Sequence, residues 1–169
     1  MKKEKGKTIK DREKRLAVVR VRGSVHVRRE IKDTLKLLNL NRVNHCVVID
    51  DRPQYKGMVQ KVKDYVTWGE INQETLEQLL VKRGRLRGNY PLTEDYLSRN
   101  TPYKTFSELS KAIMEFKIEI KDIPGLKPVF RLHPPSHGFE RKGIKKPYTL
   151  GGALGYRGEN INQLLMRMI

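Results

Sequence analysis

The sequence predicts an α+β fold, a compact two-layer domain over residues 16–84 with a helical and irregular extension over residues 85–169. Three short runs, LAVVRV, HCVVID and TWGEI, have the length and the β-branched composition of strands. Between and after them, apolar residues recur at the spacing of amphipathic helices, which gives the order β-α-β-α-β-α. Strands with helices on one face form a two-layer unit, although spacing alone fixes neither strand direction nor strand order.

The first strand ends at Gly23. Alternate residues from Ala17 onward are apolar, whereas the opposite face changes from Leu16 to the cationic Arg20 and Arg22. This pattern predicts a half-buried strand whose far end leaves the core.

A helix is predicted over residues 28–39, where Ile31, Leu35 and Leu38 form an apolar stripe. The segment HCVVID, residues 45–50, is predicted to be the second strand because it is short and rich in β-branched residues.

The second helix is predicted to begin after Asp50 and Asp51, which would act as an acidic N-cap before Pro53 in the first turn. Residues 67–71 are predicted to form a third, shorter strand, and Asn72 is predicted to cap the third helix.

The extension is less regular. Thr105 and Glu108 match a capping box and predict a helix at about residues 106–117. Residues 124–157 are rich in proline, glycine and cations and predict an irregular basic arm, and a short terminal helix is predicted over residues 158–168.

The composition indicates a polyanionic partner. Lysine and arginine outnumber aspartate and glutamate 36 to 19, which gives a formal net charge of +17. Nucleic acid is therefore the first candidate partner and an anionic membrane surface the second. No apolar run approaches the roughly 20 residues that span a bilayer, so we expect no membrane partner. Residues 1–15 are predicted to form a basic, flexible tail, and the single cysteine, Cys46, is typical of a reducing, intracellular compartment.

Cations that could contact phosphates fall into three clusters. The first lies where the first helix begins and comprises Arg20, Arg22, Arg28 and Arg29. Because a helix N-terminus favours anions, a phosphate could bind the helix terminus and these cations together. The second, in the segment KRGRLRG, comprises Lys82, Arg83, Arg85 and Arg87. The third, in the arm, comprises Arg131, His133, Arg141, Lys142, Lys145, Lys146 and Arg157. Arginine suits phosphate because its planar fork binds two oxygens at once.

The first two clusters also have a purely structural interpretation. The first could be a solvated face with partners such as Glu30, and the second a basic loop after a helix C-terminus, where cations are favoured. The aromatic residues of the arm are expected to pack on the body of the protein rather than on bases: Phe130, Phe139 and Tyr148. Residues 64–81 contain carboxylates but no lysine or arginine, so this stretch is expected to face away from phosphate.

Patterns of catalytic or metal-binding residues are weak. Asp50 and Asp51 could bind Mg²⁺ in an RNA-processing nuclease, in which alanine at both positions would abolish cleavage and leave the fold intact. The helix-cap interpretation is favoured, since no further carboxylates cluster with them. His133 and His137 have the spacing of a helical metal pair, but the prolines between them exclude a helix. The segment GGALGYRG lacks the ending of a phosphate-binding loop. We therefore expect no enzyme activity, cofactor, metal or small-molecule substrate.

Several segments together resemble a known family. The core RVRGSVHVRREIKDTLKLLNLNRVNHCVVIDDRPQYKGMVQKVKDYVTWGEI carries the resemblance, most clearly in its LNLNRVN turn and in GMVQKVKDYV. The segments VKRG, FRLHPP and GGALGYRGENINQLLMRM extend it, so that it covers residues 16–169. In order and spacing these segments resemble the large-subunit ribosomal protein family number thirty in its archaeal form, the relative of eukaryotic large-subunit ribosomal protein seven.

The resemblance implies a β-α-β-α-β fold with a three-stranded antiparallel sheet, similar to a ferredoxin-like fold. It also implies a structural, non-catalytic constituent of the large ribosomal subunit in translation, located on the cytoplasmic ribosome. Such a protein would bind the large-subunit ribosomal RNA, lie near the 5S RNA and touch neighbouring ribosomal proteins. The core RNA contacts that the resemblance implies are Arg20, Arg22, Arg28, Arg29, Lys56 and Lys61. The alternative in another class, besides the nuclease, is a free regulatory RNA-binding protein found outside ribosomes.

Overall fold

The computed structural model describes residues 14–169, and most of the predicted basic tail lies outside this range. The described chain forms one five-stranded sheet in the order β4-β2-β1-β3-β5. The strands are β1 (Arg15–Arg20), β2 (His45–Asp50), β3 (Val66–Glu70), β4 (Phe130–Arg131) and β5 (Gly155–Tyr156). The α-helices are α1 (Arg29–Leu37), α2 (Pro53–Lys61), α3 (Gln73–Arg83), α4 (Glu94–Asn100), α5 (Phe106–Met114) and α6 (Ile161–Met168).

The centre of the sheet is antiparallel. Val18 of β1 lies opposite Val47 of β2 on one side and Trp68 of β3 on the other. The prediction of a three-stranded antiparallel sheet is therefore correct for the centre and wrong for the whole sheet. The arm adds β4 antiparallel to β2 and β5 parallel to β3, which makes the sheet mixed. These edge strands have two residues each, too few to show an alternating pattern in the sequence.

Helices cover both faces of the sheet, so the predicted two-layer arrangement with helices on one face is wrong. Val18 faces α1 and α2 and packs in a core with Leu35 and Val59. Ala17 and Val19 face the opposite way and pack in a core formed mainly by α3, α5, α6 and the arm. Every residue of β1 is consequently buried, and the strand is the central one rather than half-buried.

The helix starts confirm two predicted caps and overturn a third. Asn72 Oδ1 accepts a hydrogen bond of 2.8 Å from the Thr75 amide at the start of α3. Thr105 Oγ1 accepts one from the Glu108 amide at the start of α5, whose helix ends at Met114 rather than about residue 117. At α2 the N-cap is Arg52, one residue after the predicted acidic pair.

The C-terminal half shares one core with the first half and supplies most of its buried residues. Phe130 is fully buried, and α3 packs on both α5 and α6. Phe139 packs on the same core, as expected. Within residues 14–169, no helix combines the length and the apolar character needed to cross a membrane.

Candidate nucleic-acid interface

The start of α1 presents arginines to solvent. Arg28 is the N-cap residue and makes no side-chain capping bond, and it forms no ion pair among the described residues. Arg29 lies one residue further, with its Nε 3.8 Å from a carboxylate oxygen of Asp33. Because the Arg29 and Asp33 side chains are 92% and 64% exposed, this pair contributes little. Both guanidinium groups are therefore available to an anion beside the free N–H groups of the helix.

Arg20 has a different role. It is 3% exposed, and its guanidinium donates to the Arg22 and Leu40 carbonyls at 2.8 and 2.7 Å and to Ser24 Oγ at 2.7 Å. Burial lowers the pKa of Arg20 below its ordinary value. With its donors used internally, Arg20 positions the loop that follows β1.

Arg22 is half-buried beside that loop. Its Nη1 donates to the Asp64 carbonyl at 3.1 Å, and its guanidinium lies 5.1 Å from the centre of the Tyr65 ring. Asp64 thus lies next to the first cationic cluster, contrary to the expectation that the whole stretch 64–81 faces away from it. The exposed Val25, on the same loop, is 81% accessible.

Helix α2 adds two exposed lysines, both paired with carboxylates. Lys61 Nζ lies 3.5 Å from Glu30, which places it beside the start of α1. Lys56 Nζ lies 2.9 Å from Asp51. Lys61 thereby joins the first cluster in space, as the resemblance implies.

The edge formed by β4 extends the cationic surface. Arg131 is exposed and lies opposite His45 in the ladder. Burial is the main cause that lowers the pKa of His45. A backbone hydrogen bond at Asn39 raises this pKa, and the charges of Arg131, Arg42 and Arg20 lower it further. His45 is therefore neutral at pH 7. The sequence analysis did not single out Arg42. Its signal in the sequence is its place in the LNLNRVN turn between Asn39 and Asn44, since asparagine tolerates the positive φ that both residues adopt.

The second cluster lies in the last turn of α3 and in the segment that follows it. Lys82 and Arg87 are exposed, and Arg85 is half-buried with its Nη1 3.3 Å from the Gly84 carbonyl. Arg83 Nη2 donates to the main-chain oxygen of Ile169, so part of this guanidinium is used inside the protein.

The third cluster divides into exposed and buried members. The exposed members are His133, Arg141, Lys142, Lys145 and Lys146. The last four of these lie in one loop, which is held by its own backbone hydrogen bonds. The Gly143 amide donates to the Glu140 carbonyl at 2.8 Å, and the Ala153 amide donates to the Gly143 carbonyl at 3.1 Å.

Arg157 is 4% exposed and lies inside the arm. It donates to Thr67 Oγ1 at 2.8 Å and to Glu140 Oε1 at 2.6 Å, and its guanidinium lies 4.6 Å from the centre of the Tyr148 ring. Burial alone would raise the pKa of Glu140, but the hydrogen bond from Arg157 lowers it below its ordinary value. Arg157 thus fastens the arm to β3, and the Tyr148 ring packs against this guanidinium within the arm.

The other carboxylates of the stretch 64–81 are Glu70, Glu74 and Glu77. Glu74 and Glu77 line a groove between α3 and α6. Glu70 accepts a hydrogen bond of 2.6 Å from the Tyr156 hydroxyl, and this bond is the main cause that raises the pKa of Tyr156 to about 12.

The acidic pair at the end of β2 does not form an open metal site. Asp50 is 3% exposed and lies between two guanidinium groups: Arg15 donates to its Oδ1, and Arg52 Nε to its Oδ2 at 2.8 Å. Arg52 also donates to Glu119 at 2.9 Å. Two cations in contact with the carboxylate oppose the binding of a divalent cation there. Across residues 14–169, no three His, Cys, Asp or Glu side chains are grouped to hold a metal ion.

Comparison with known proteins decides the family. Residues 16–66 match the model of the family described as Ribosomal protein L30p/L7e. The chain is 60% identical to the large ribosomal subunit protein uL30 of Methanopyrus kandleri over 149 residues, which are 88% of this chain and all of that protein. The chain belongs to the uL30 family. Its similarity to the uL30 proteins of Methanococcus maripaludis and Archaeoglobus fulgidus is 57% identity over 90% of this chain and 98% of each relative.

Membership of the uL30 family confirms several expectations. The resemblance to the thirtieth large-subunit family and its archaeal form is confirmed, as is the expectation of a ribosomal, structural protein rather than an enzyme. The expected location on the cytoplasmic ribosome follows from the same membership.

Proposed function

We propose that this uL30-family chain binds the large-subunit ribosomal RNA through its exposed cations, close to the 5S RNA and to neighbouring ribosomal proteins. The observation that carries the proposal is the start of α1. There Arg28 and Arg29 are exposed, without a strong carboxylate partner, beside helix N–H groups that favour an anion. A phosphate placed there would satisfy the guanidinium groups and the helix terminus together.

The proposed contacts are the exposed or partly exposed members of the three clusters, together with Lys56 and Lys61 of α2. The set comprises Arg22, Arg28, Arg29, Lys56, Lys61, Lys82, Arg83, Arg85, Arg87, Arg131, His133, Arg141, Lys142, Lys145 and Lys146. The buried Arg20 and Arg157 shape this surface from within, because their donors are bonded inside the protein. Sequence alone placed them among the RNA contacts, and the proposal now assigns them the positioning of the loop after β1 and of the arm.

Binding of this kind is strongly salt-dependent. Each neutralised phosphate releases counterions, so affinity falls steeply as the salt concentration rises. For roughly six to ten phosphate contacts, a rise from about 50 to 200 mM salt lowers affinity by about 10³- to 10⁵-fold. The position near 5S RNA rests on the family resemblance, and crosslinking within intact subunits tests it directly.

The decisive experiment reverses two charges at the start of α1. The variant Arg28→Glu/Arg29→Glu should still fold, since both side chains are exposed, but it should bind large-subunit ribosomal RNA more weakly and incorporate poorly into large subunits on sucrose gradients. The matched control, Arg99→Glu/Lys111→Glu, makes the same change of charge at exposed positions outside the three clusters. It should retain most of the binding and incorporation.

Three results bear on the proposal. Equal losses in both variants would show a dependence on net charge alone and would contradict the assignment to α1. Normal incorporation of the α1 variant would also contradict it. Wild-type protein that binds RNA but never sediments with large subunits would favour the free regulatory protein instead.

A further inference from the structure

The turn that follows α3 carries an aromatic side chain with no role in the folded chain. Tyr90 is 69% exposed. Among the described residues, no other ring stacks on it and no guanidinium lies over it. A ring left this open offers a flat apolar face to a ligand.

The backbone around Tyr90 is fixed. The Leu86 amide bonds the Tyr90 carbonyl at 2.8 Å, and the Asn89 amide bonds the Leu86 carbonyl at 3.0 Å. The turn is tied to the arm by the Arg87 amide, which bonds the Gly125 carbonyl at 2.9 Å. Tyr90 thus lies in a hydrogen-bonded turn that fixes its backbone position.

Gly88 sets the position of the ring. Its φ of +80° favours glycine, and a Cβ added there would lie 2.7 Å from Cε2 of Tyr90. The ring therefore packs over the bare glycine, which fixes one part of its surface and leaves the rest to solvent.

The turn that carries the ring is rich in cations. Arg85 and Arg87 lie in it, Lys82 lies in the last turn of α3, and the Lys127 amide donates to the Arg85 carbonyl at 2.9 Å, which places the backbone of Lys127 beside the turn. Among residues 14–169 none of these four forms an ion pair. The other widely exposed tyrosine, Tyr156, instead bonds a carboxylate.

A flat ring amid unpaired cations fits one ligand chemistry: an unpaired nucleobase, stacked on the ring, with its phosphates held by the cations. We propose that Tyr90 is a base-stacking site of this protein, supported by Gly88 and flanked by Arg85 and Arg87. This inference rests on the proposed RNA-binding function and adds a contact to single-stranded RNA that charge alone does not provide.

The test uses the full chain and two labelled RNAs, a short oligoadenylate and a duplex of the same length, in fluorescence anisotropy at one salt concentration. Tyr90→Ala should weaken oligoadenylate binding by about 5- to 150-fold, the range of base–aromatic stacking, and should leave duplex binding unchanged. Tyr90→Phe, which keeps the ring, should match wild type. Tyr90→Leu, which keeps apolar bulk without a flat ring, should resemble the alanine variant. Arg85→Glu/Arg87→Glu should weaken binding to both RNAs.

The outcomes separate this inference from the proposed function. If wild type binds both RNAs and Tyr90→Ala binds them equally well, stacking is overturned while RNA binding stands. The stacking proposal is also overturned if Tyr90→Ala weakens binding to oligoadenylate and to duplex equally, or if Tyr90→Leu binds oligoadenylate as well as wild type. A Tyr90→Ala variant that binds RNA normally but fails to enter large subunits assigns the ring to a protein neighbour and overturns stacking. If wild type binds neither RNA, the proposed function itself fails.

Discussion

Replacement of Asp50 by alanine should destabilise the fold more than any other loss of a carboxylate described above. The Asp50 carboxylate accepts hydrogen bonds from Arg15 and Arg52, and the Arg15 and Asp50 side chains are each 4% exposed. Removing one partner of a buried ion pair costs about 3–5 kcal/mol, because the remaining charge stays out of water. For a chain of this length each kcal/mol lowers Tm by about 2–4 °C, so we expect a decrease of about 6–20 °C.

The assay is urea denaturation followed by far-ultraviolet circular dichroism and by the fluorescence of Trp68, the only tryptophan. The matched control is Asp51→Ala. Asp51 pairs with the exposed Lys56 at 2.9 Å, and such a pair contributes about 0.2–1 kcal/mol. Were Asp50→Ala to lose no more free energy of unfolding than Asp51→Ala, the reasoning from burial would be refuted. The nuclease hypothesis requires the double alanine variant to keep its fold, which is the opposite result.

Two further predictions concern packing and pH. Gly69→Ala places a Cβ 2.0 Å from the main-chain oxygen of Gly158, so we expect a loss of about 1–3 kcal/mol in urea unfolding. Gly57→Ala, where a Cβ meets nothing within 4 Å in an exposed helix, should instead be neutral or stabilising by up to about 1 kcal/mol, and a similar loss in both would count against the contact. The lowered pKa of Glu140, held by Arg157 against the opposing effect of burial, should contribute stability above the ordinary glutamate pKa of 4.5 and lose it as pH falls through the lower folded value. Acid titration of unfolding should therefore show a shallower decline in Glu140→Gln than in wild type, and identical profiles would exclude this contribution.

The periodicity of the first half predicted its elements well because each strand and helix is built from local, repeating patterns. The Asn72 and Thr105 caps were readable for the same reason, since a cap is a contact between residues close in sequence. The third predicted cap was wrong because Asp50 is recruited by Arg15, a residue far from it in sequence. No local pattern carries that information.

The candidate site was predictable in its charge and not in its details. Arg28 and Arg29 are exposed, as their place at a helix start suggested. Arg20 and Arg157 have the same residue type but are buried, because carbonyls and a carboxylate from distant segments receive their donors. Residue type gives the charge of a side chain, whereas only tertiary contacts decide whether that charge reaches solvent.

The position of β1 has a consequence for the synthesis of the chain. Of the described strands, β1 is the first to leave the ribosomal exit tunnel, and it becomes the middle of the sheet. The two outermost strands, β4 and β5, are formed by residues beyond 129. Until those residues emerge, β2 and β3 keep open hydrogen-bonding edges, which are the edges through which nascent chains stick to one another. The nascent chain is thus exposed to aggregation until late in its translation. Prematurely terminated chains that lack β4 and β5 should therefore aggregate.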